Sequence, residues 1–296
     1  VVVPNPYAGQ LASREGIEHI LEVDNTTTHW WEYRSSARAQ TLVFVHGFRG
    51  DHHGLQLIAD ALPEYRILIP DIPAFGSSSS WPTGVTSIDD YGRWLRLFLT
   101  ATHTEECVVL GHSFGSIVVT NALRRSRTTP IILVNPISQR ALIGPKRFAA
   151  ALAGLWYAVG LVLPAGLGSA WLGNPLFVRA MSEMLTKSRN PALRRWIHDQ
   201  HARYFSCYSD RDSLVGAFTV STDATVADFA AQITVPVLMI VADQDDITPL
   251  DAQCAVQQDF PDAELHVLEG VGHLVHYEKP IETASAIRDF LSRHSD

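Results

Sequence analysis

Apolar residues along this chain follow two alternating patterns. The first is an unbroken run of strand length, as in "TLVFVHGF" (41–48), "YRILIPDIP" (65–73), "PIILVNPI" (130–137) and "VPVLMIVADQDD" (235–246). Such runs are expected of strands buried on both faces of a parallel sheet. The second pattern has apolar residues three and four apart. Leu55, Ile58, Ala59 and Leu62 show it, as do Ile88, Tyr91, Leu95, Phe98 and Leu99 in a helix predicted over 88–101. Near the N-terminus, "IEHILEV" (17–23) and "HWWEYR" (29–34) flank the turn-rich "DNTTT", which reads as an antiparallel hairpin. A strand over 107–111 and a helix over 114–125 lead to the 130–137 strand. Beyond 235–246 come a helix near 250–259, the strand "AELHVLEG" (263–270) and a closing helix over 280–293. The rhythm predicts an α/β fold with a mostly parallel central sheet of about eight strands. It opens with an antiparallel hairpin and carries helices on both faces.

The rhythm stops between 138 and 230, where the sequence is helix-like and rich in Trp, Tyr, Arg and Gly. The chain therefore divides into an α/β core of 1–137 and 231–296 and a helical insertion of 138–230, after the sixth strand. Phe148–Gly173 contains no charged residue and is long enough to span a bilayer. Pro164 and five glycines interrupt it, and a span here would sever strands of one sheet. Buried or groove-lining helices are the expectation.

With 46% hydrophobic and 18% charged residues, the composition is that of a soluble globular protein. The formal net charge of −8 opposes a polyanionic partner such as nucleic acid. The densest basic patch, "RRSR" (124–127), reads as a solvated helix end. Cys107, Cys207 and Cys254 form neither a disulfide framework nor a CxxC pair, which favours a reducing, cytoplasmic setting. No secretory signal is visible in "VVVPNPYAGQ". Neither HExxH nor GxxxxGK[ST] occurs, so no metal, phosphate loop or cofactor is expected.

Candidate chemistry centres on Gly111-His112-Ser113-Phe114-Gly115, which fits the G-x-S-x-G elbow between a strand and a helix. Glycines on either side let the two elements approach and let Ser113 adopt a strained backbone. The bland alternative is a serine that merely caps a helix. A serine hydroxyl needs a neighbouring base, and in open α/β sheets such groups collect at the carboxyl ends of strands. Past the later strands lie Asp243, Asp245 and Asp246, and then His273. The order Ser, acid, His suits this fold. His273 would be the general base; His112 and His276 read as packing residues. The backbone N–H groups of Phe114 and Phe48, the latter in "HGF" (46–48), are the candidate oxyanion donors.

These residues resemble the α/β-hydrolase superfamily, in its lid-bearing branch of small esterases and lipases, over 17–137 and 231–293. His46-Gly47-Phe48 is similar to the HG-x oxyanion segment. "DIPAFGSS" (71–78) is similar to D-x-x-G-x-G-x-S, with Ala74 where glycine is usual. "ADQDDITP" (242–249) resembles G-x-x-D-x-x-x-P, which implies Asp245 as the acid rather than Asp243 or Asp246. "GVGHLVHYEKP" (270–280) resembles G-x-G-H-x-x-x-x-E-x-P, which implies His273. By the same resemblance the 138–230 insertion is a lid whose residues contact the substrate. The implied function is cofactor-independent hydrolysis of a small-molecule carboxylic ester, with a hydrophobic group in an apolar pocket. Carbon–carbon bond hydrolysis, acyl transfer and non-catalytic ligand binding are the alternatives. His112 and Leu274 depart from the Asn and Trp usual in the carbon–carbon hydrolases. Within the insertion, an Arg or His of "RRWIHDQHARYFSCYSDRD" (194–212) could reach a substrate carboxylate, or the segment is a solvated face.

Overall fold

In the computed structural model, residues 3–84, 87–125, 128–140 and 147–294 are described, with 147–150 as backbone only. Ser126 and Arg127 of the basic run and 141–146 of the insertion lie outside the described residues. The chain begins with β1 (Ile17–Val23) and β2 (Thr26–Tyr33), paired antiparallel. The connection is only Asp24 and Asn25, at φ 53° and 62°. Positive φ at both central residues matches the twist of a hairpin, and Asp and Asn tolerate it. The second strand therefore starts at Thr26, three residues before the predicted "HWWEYR".

The alternating part follows. It contains β3 (Thr41–Val45), α1 (Gln56–Asp60), β4 (Arg66–Pro70), α2 (Ile88–Ala101), β5 (Val108–His112), α3 (Phe114–Leu123) and β6 (Ile131–Val134). Among the described residues five α-helices then intervene: α4 (Arg147–Val162), α5 (Ala165–Leu172), α6 (Pro175–Leu185), α7 (Pro191–Tyr204) and α8 (Arg211–Asp223). The core resumes with β7 (Val237–Ala242), α9 (Leu250–Gln257), β8 (Ala263–Leu268), α10 (Val275–Glu278) and α11 (Pro280–His294).

Among the described residues the strands form one eight-stranded sheet in the order β1-β2-β4-β3-β5-β6-β7-β8, parallel from β4 onward. Side chains alternate across it with the period-two geometry of a strand. Val43, Val45, Val109, Ile131, Leu133 and Met239 join the α2 and α3 side. Leu42, Phe44, Val108, Leu110, Ile132 and Ile240 join the α1 and α11 side. Burial on both faces explains why these strands read as unbroken apolar runs. The uncharged segment is split at Pro164 into α4 and α5. Among the described residues no helix is long and apolar enough to cross a membrane.

Register aligns the strand ends of this frame. Val45 pairs with Gly111, His112 with Val134, Val134 with Ile240, and Ala242 with Leu268. The carboxyl ends of five adjacent strands therefore reach one edge of the sheet together, and the loops beyond them share a single site.

Candidate active site

Ser113 joins β5 to α3 with φ 53° and ψ −120°, a conformation held by its surroundings. Its N–H donates to the Val134 carbonyl at 3.0 Å. A β-carbon on Gly115 would lie 2.2 Å from the Val45 carbonyl oxygen, and one on Gly111 2.5 Å from the Gly115 carbonyl oxygen. Both elbow glycines are thus demanded by close packing of α3 on β3 and β5.

His273 follows β8, and its Nε2 lies 2.8 Å from Ser113 Oγ. Its Nδ1 lies 2.7 Å from Asp245 Oδ2, so Nδ1–H donates to the carboxylate and Nε2 is left to accept from the serine. Asp245 also accepts from the N–H of Ile247 (2.7 Å), the N–H of Thr248 (3.2 Å) and the Thr248 hydroxyl (2.8 Å). Burial pushes the Asp245 carboxyl up, but the His273 ring and these hydrogen bonds outweigh it and hold the group below its ordinary range. The neighbouring acids do other work. Asp243 Oδ1 accepts from the Val271 N–H, and Asp246 pairs with Lys187.

The "HGF" loop lies against the elbow: a β-carbon on Gly47 would be 3.1 Å from Ser113 Cβ. His46 fixes this loop with both ring nitrogens. Its Nε2 accepts from the Ile72 N–H (2.9 Å), so Nδ1 carries the proton and donates to the Gly47 carbonyl (2.9 Å). Burial pushes the ring toward the neutral form that this pattern needs. Phe48 occupies the second position of a turn closed by Gly50 N–H to the Gly47 carbonyl (3.1 Å). Arg49, the third residue, has φ 60°, where glycine is ordinarily preferred. Phe114, the first residue of α3, puts its N–H at a helix amino-terminus, the end that favours negative charge.

Ser113, His273, Phe48 and Phe114 line a cavity of about 730 Å³ that extends among the helices between β6 and β7. Its walls are mainly apolar, with Leu152, Leu155, Trp156, Tyr157, Trp171, Phe177 and Phe218 from α4, α5, α6 and α8. Arg49 ties the loop after β3 to the helical segment between β6 and β7. Its buried guanidinium donates to the Tyr157 hydroxyl (3.2 Å), the Ser206 hydroxyl (3.1 Å), and the carbonyls of Leu172 (3.0 Å) and Phe205 (3.0 Å). Of the amphipathic segment 194–212, Arg194 turns to Glu183 and the Thr186 carbonyl, whereas His201 lines the cavity.

Supporting residues carry roles that the sequence did not assign. Asn135, just past β6, donates to the carbonyls of Gly272 (3.2 Å) and His273 (3.0 Å) and accepts from the Ala242 N–H (2.9 Å). One side chain thereby ties the His273 loop to β7. Glu278, quoted only as part of a motif, accepts from Gly272, Lys187 and Ser188 N–H groups, joining the His273 loop to the segment after α6. Ala74, where glycine is usual, sits at φ 78°, the conformation that explains that usage. His112 and His276 are buried, with ring centroids 4.2 Å apart. Burial, and secondarily the neighbouring His273, push His112 down to about 3.

Asp51, His52 and His53 are residue types that ligate metals, and their donor atoms lie within 4.8 Å of one another. Here Nδ1 of His52 faces Asp71 (3.1 Å) and Nδ1 of His53 faces Asp51 (3.2 Å), so the group builds the turn entering α1.

A sequence model described as the alpha/beta hydrolase family matches residues 42–286. Over 74 residues the chain is 36% identical to 2-succinyl-6-hydroxy-2,4-cyclohexadiene-1-carboxylate synthase of Escherichia coli O8, which is 25% of this chain and 29% of that protein. It is 24% identical over 286 residues to an uncharacterized hydrolase, YugF, of Bacillus subtilis, covering 91% of this chain and 96% of that one. Its fold is similar to a thermophilic esterase from Thermogutta terrifontis, with a TM-score of 0.74 and 18% identity across 94% of this chain and 98% of the other. The match across the core strands and the elbow, on a fold of this order, establishes that the chain belongs to the alpha/beta hydrolase family.

Proposed function

We propose that the protein is a serine hydrolase that cleaves carboxylic esters with Ser113, His273 and Asp245. The observation that carries this reading is the pair of contacts on one ring: His273 Nε2 at 2.8 Å from Ser113 Oγ and Nδ1 at 2.7 Å from Asp245. His273 takes the serine proton as Oγ bonds to the ester carbonyl carbon, and Asp245 stabilises the resulting imidazolium. The carbonyl oxygen, now an anion, receives the N–H groups of Phe48 and Phe114. The bond to the leaving oxygen then breaks, and the alcohol departs with the proton from His273. Water repeats the sequence on the acyl-enzyme, with His273 again as base, and releases the acid.

The insertion 138–230 acts as a lid whose apolar walls receive the hydrophobic part of the ester. A chain-length series of p-nitrophenyl esters tests the reading. Turnover that depends on Ser113 is expected, with medium acyl chains favoured over acetate. Turnover of no ester, with Ser113 still reactive toward a phosphonate, would keep the nucleophile and refute the ester substrate.

A further inference from the structure

Ser182 of α6 stands between two histidines of α7. Its Oγ is 2.6 Å from His198 Nδ1 and 2.8 Å from His201 Nδ1, and all three side chains are buried. A hydroxyl has one proton and two lone pairs, so it donates to at most one of these nitrogens and accepts from whichever is protonated. The far side of His198 decides which. Its Nε2 is 3.3 Å from a Glu183 carboxylate oxygen. Arg179, bonded to Glu183, holds that carboxyl ionised. That contact is not aligned as a hydrogen bond, but a bare nitrogen lone pair this close to a carboxylate would be repelled, so we place the His198 proton on Nε2.

The remaining positions follow in sequence. His198 Nδ1 accepts the Ser182 O–H, and Ser182 Oγ accepts the His201 Nδ1–H. His201 is then left with an unprotonated Nε2. The ring is 5% exposed, lines the cavity shared with Ser113, and turns its Nδ1 edge away to Ser182. With Nδ1 engaged by Ser182, only the opposite edge, with the Nε2 lone pair, is left to meet a ligand in the cavity. Burial pushes the ring down to about 3, so it stays neutral at physiological pH. A neutral acceptor in a mainly apolar wall does not suit a carboxylate, which has no proton to give. It suits a hydroxyl or an amide N–H.

From this relay we infer that His201 is a specificity-determining residue, and that the ester carries a hydrogen-bond donor away from its scissile bond. The inference rests on the ester-hydrolase reading. An unmet acceptor in such a wall penalises substrates without a donor, because binding strips water from Nε2 and returns nothing. The donor can lie on the alcohol or on the acyl side.

Two matched pairs separate those cases: monooctanoylglycerol against propyl octanoate, and methyl ω-hydroxydecanoate against methyl decanoate. The expected result is a kcat/KM ratio of about 10 in favour of the donor-bearing member of one pair, carried mainly by KM. His201→Leu should bring that ratio close to one, and His201→Gln, which keeps an acceptor oxygen, should retain most of it. Ser182→Ala, which frees the His201 tautomer, should lower the ratio in the same direction. It also keeps the test open should His201→Leu not fold. A purely structural relay would change both members of each pair equally. Wild-type ratios near one in both pairs, or a ratio unchanged by these substitutions, would overturn the inference. If no ester is turned over and Ser113 resists a fluorophosphonate, the hydrolase reading fails first.

Discussion

Asp245 Oδ2 lies 2.7 Å from Nδ1 of His273, whereas the adjacent Asp246 is drawn away into a pair with Lys187. Two neighbouring acids therefore have separate fates. Asp245→Asn replaces the acceptor that fixes the His273 tautomer, and should lower kcat by about 10³-fold or more with little change in KM. Asp246→Asn should cost less than about tenfold. Steady-state kinetics on one short ester decide it, and equal losses would contradict the assignment.

His46 holds the loop of Phe48 through the Ile72 N–H and the Gly47 carbonyl. His46→Ala strands that buried N–H and loosens the turn, so kcat should fall by about 10–100-fold while KM moves little. A KM rise with kcat preserved would place His46 outside the oxyanion geometry.

Arg49 is a buried cation whose guanidinium donates to four neutral oxygens, those of Tyr157, Leu172, Phe205 and Ser206. Arg49→Met should leave the Leu172 and Phe205 carbonyls without this donor and destabilise the insertion by about 2–4 kcal/mol. Tyr157→Phe removes one bond and should cost about 1 kcal/mol. Limited proteolysis reads this directly: cleavage between α4 and α8 should accelerate strongly in the first variant and weakly in the second.

Burial lowers His112 and His201 to about 3 from an ordinary 6.5. The unfolded chain therefore binds protons below pH 6.5 that the folded protein refuses. Stability is full above that pH and is lost as pH falls toward 3, at about 1.4 kcal/mol per unit for each ring. Between pH 7 and 5 the unfolding free energy should drop by on the order of 2–4 kcal/mol. Urea unfolding across this window measures it, and His201→Gln should flatten the slope.

Local features were legible where neighbours in sequence are neighbours in space. The apolar runs predicted β3 to β7, the mixed segment 263–270 predicted β8, and Gly111 and Gly115 announced the elbow that packing on Val45 requires. Asp24 and Asn25 signalled a turn, though not that it takes only two residues. Asn135 was invisible because its partner His273 lies 138 positions away and an asparagine after a strand has many uses. The Ser182 relay was equally hidden, since its order depends on how α6 meets α7.

The account stands most directly on the reactivity of one hydroxyl. Treatment with a fluorophosphonate, followed by peptide mass spectrometry, should place a single adduct on Ser113. The adduct should be absent from Ser113→Ala and form far more slowly in His273→Ala. An unlabelled wild-type protein, or an adduct on another residue with Ser113 untouched, would contradict it.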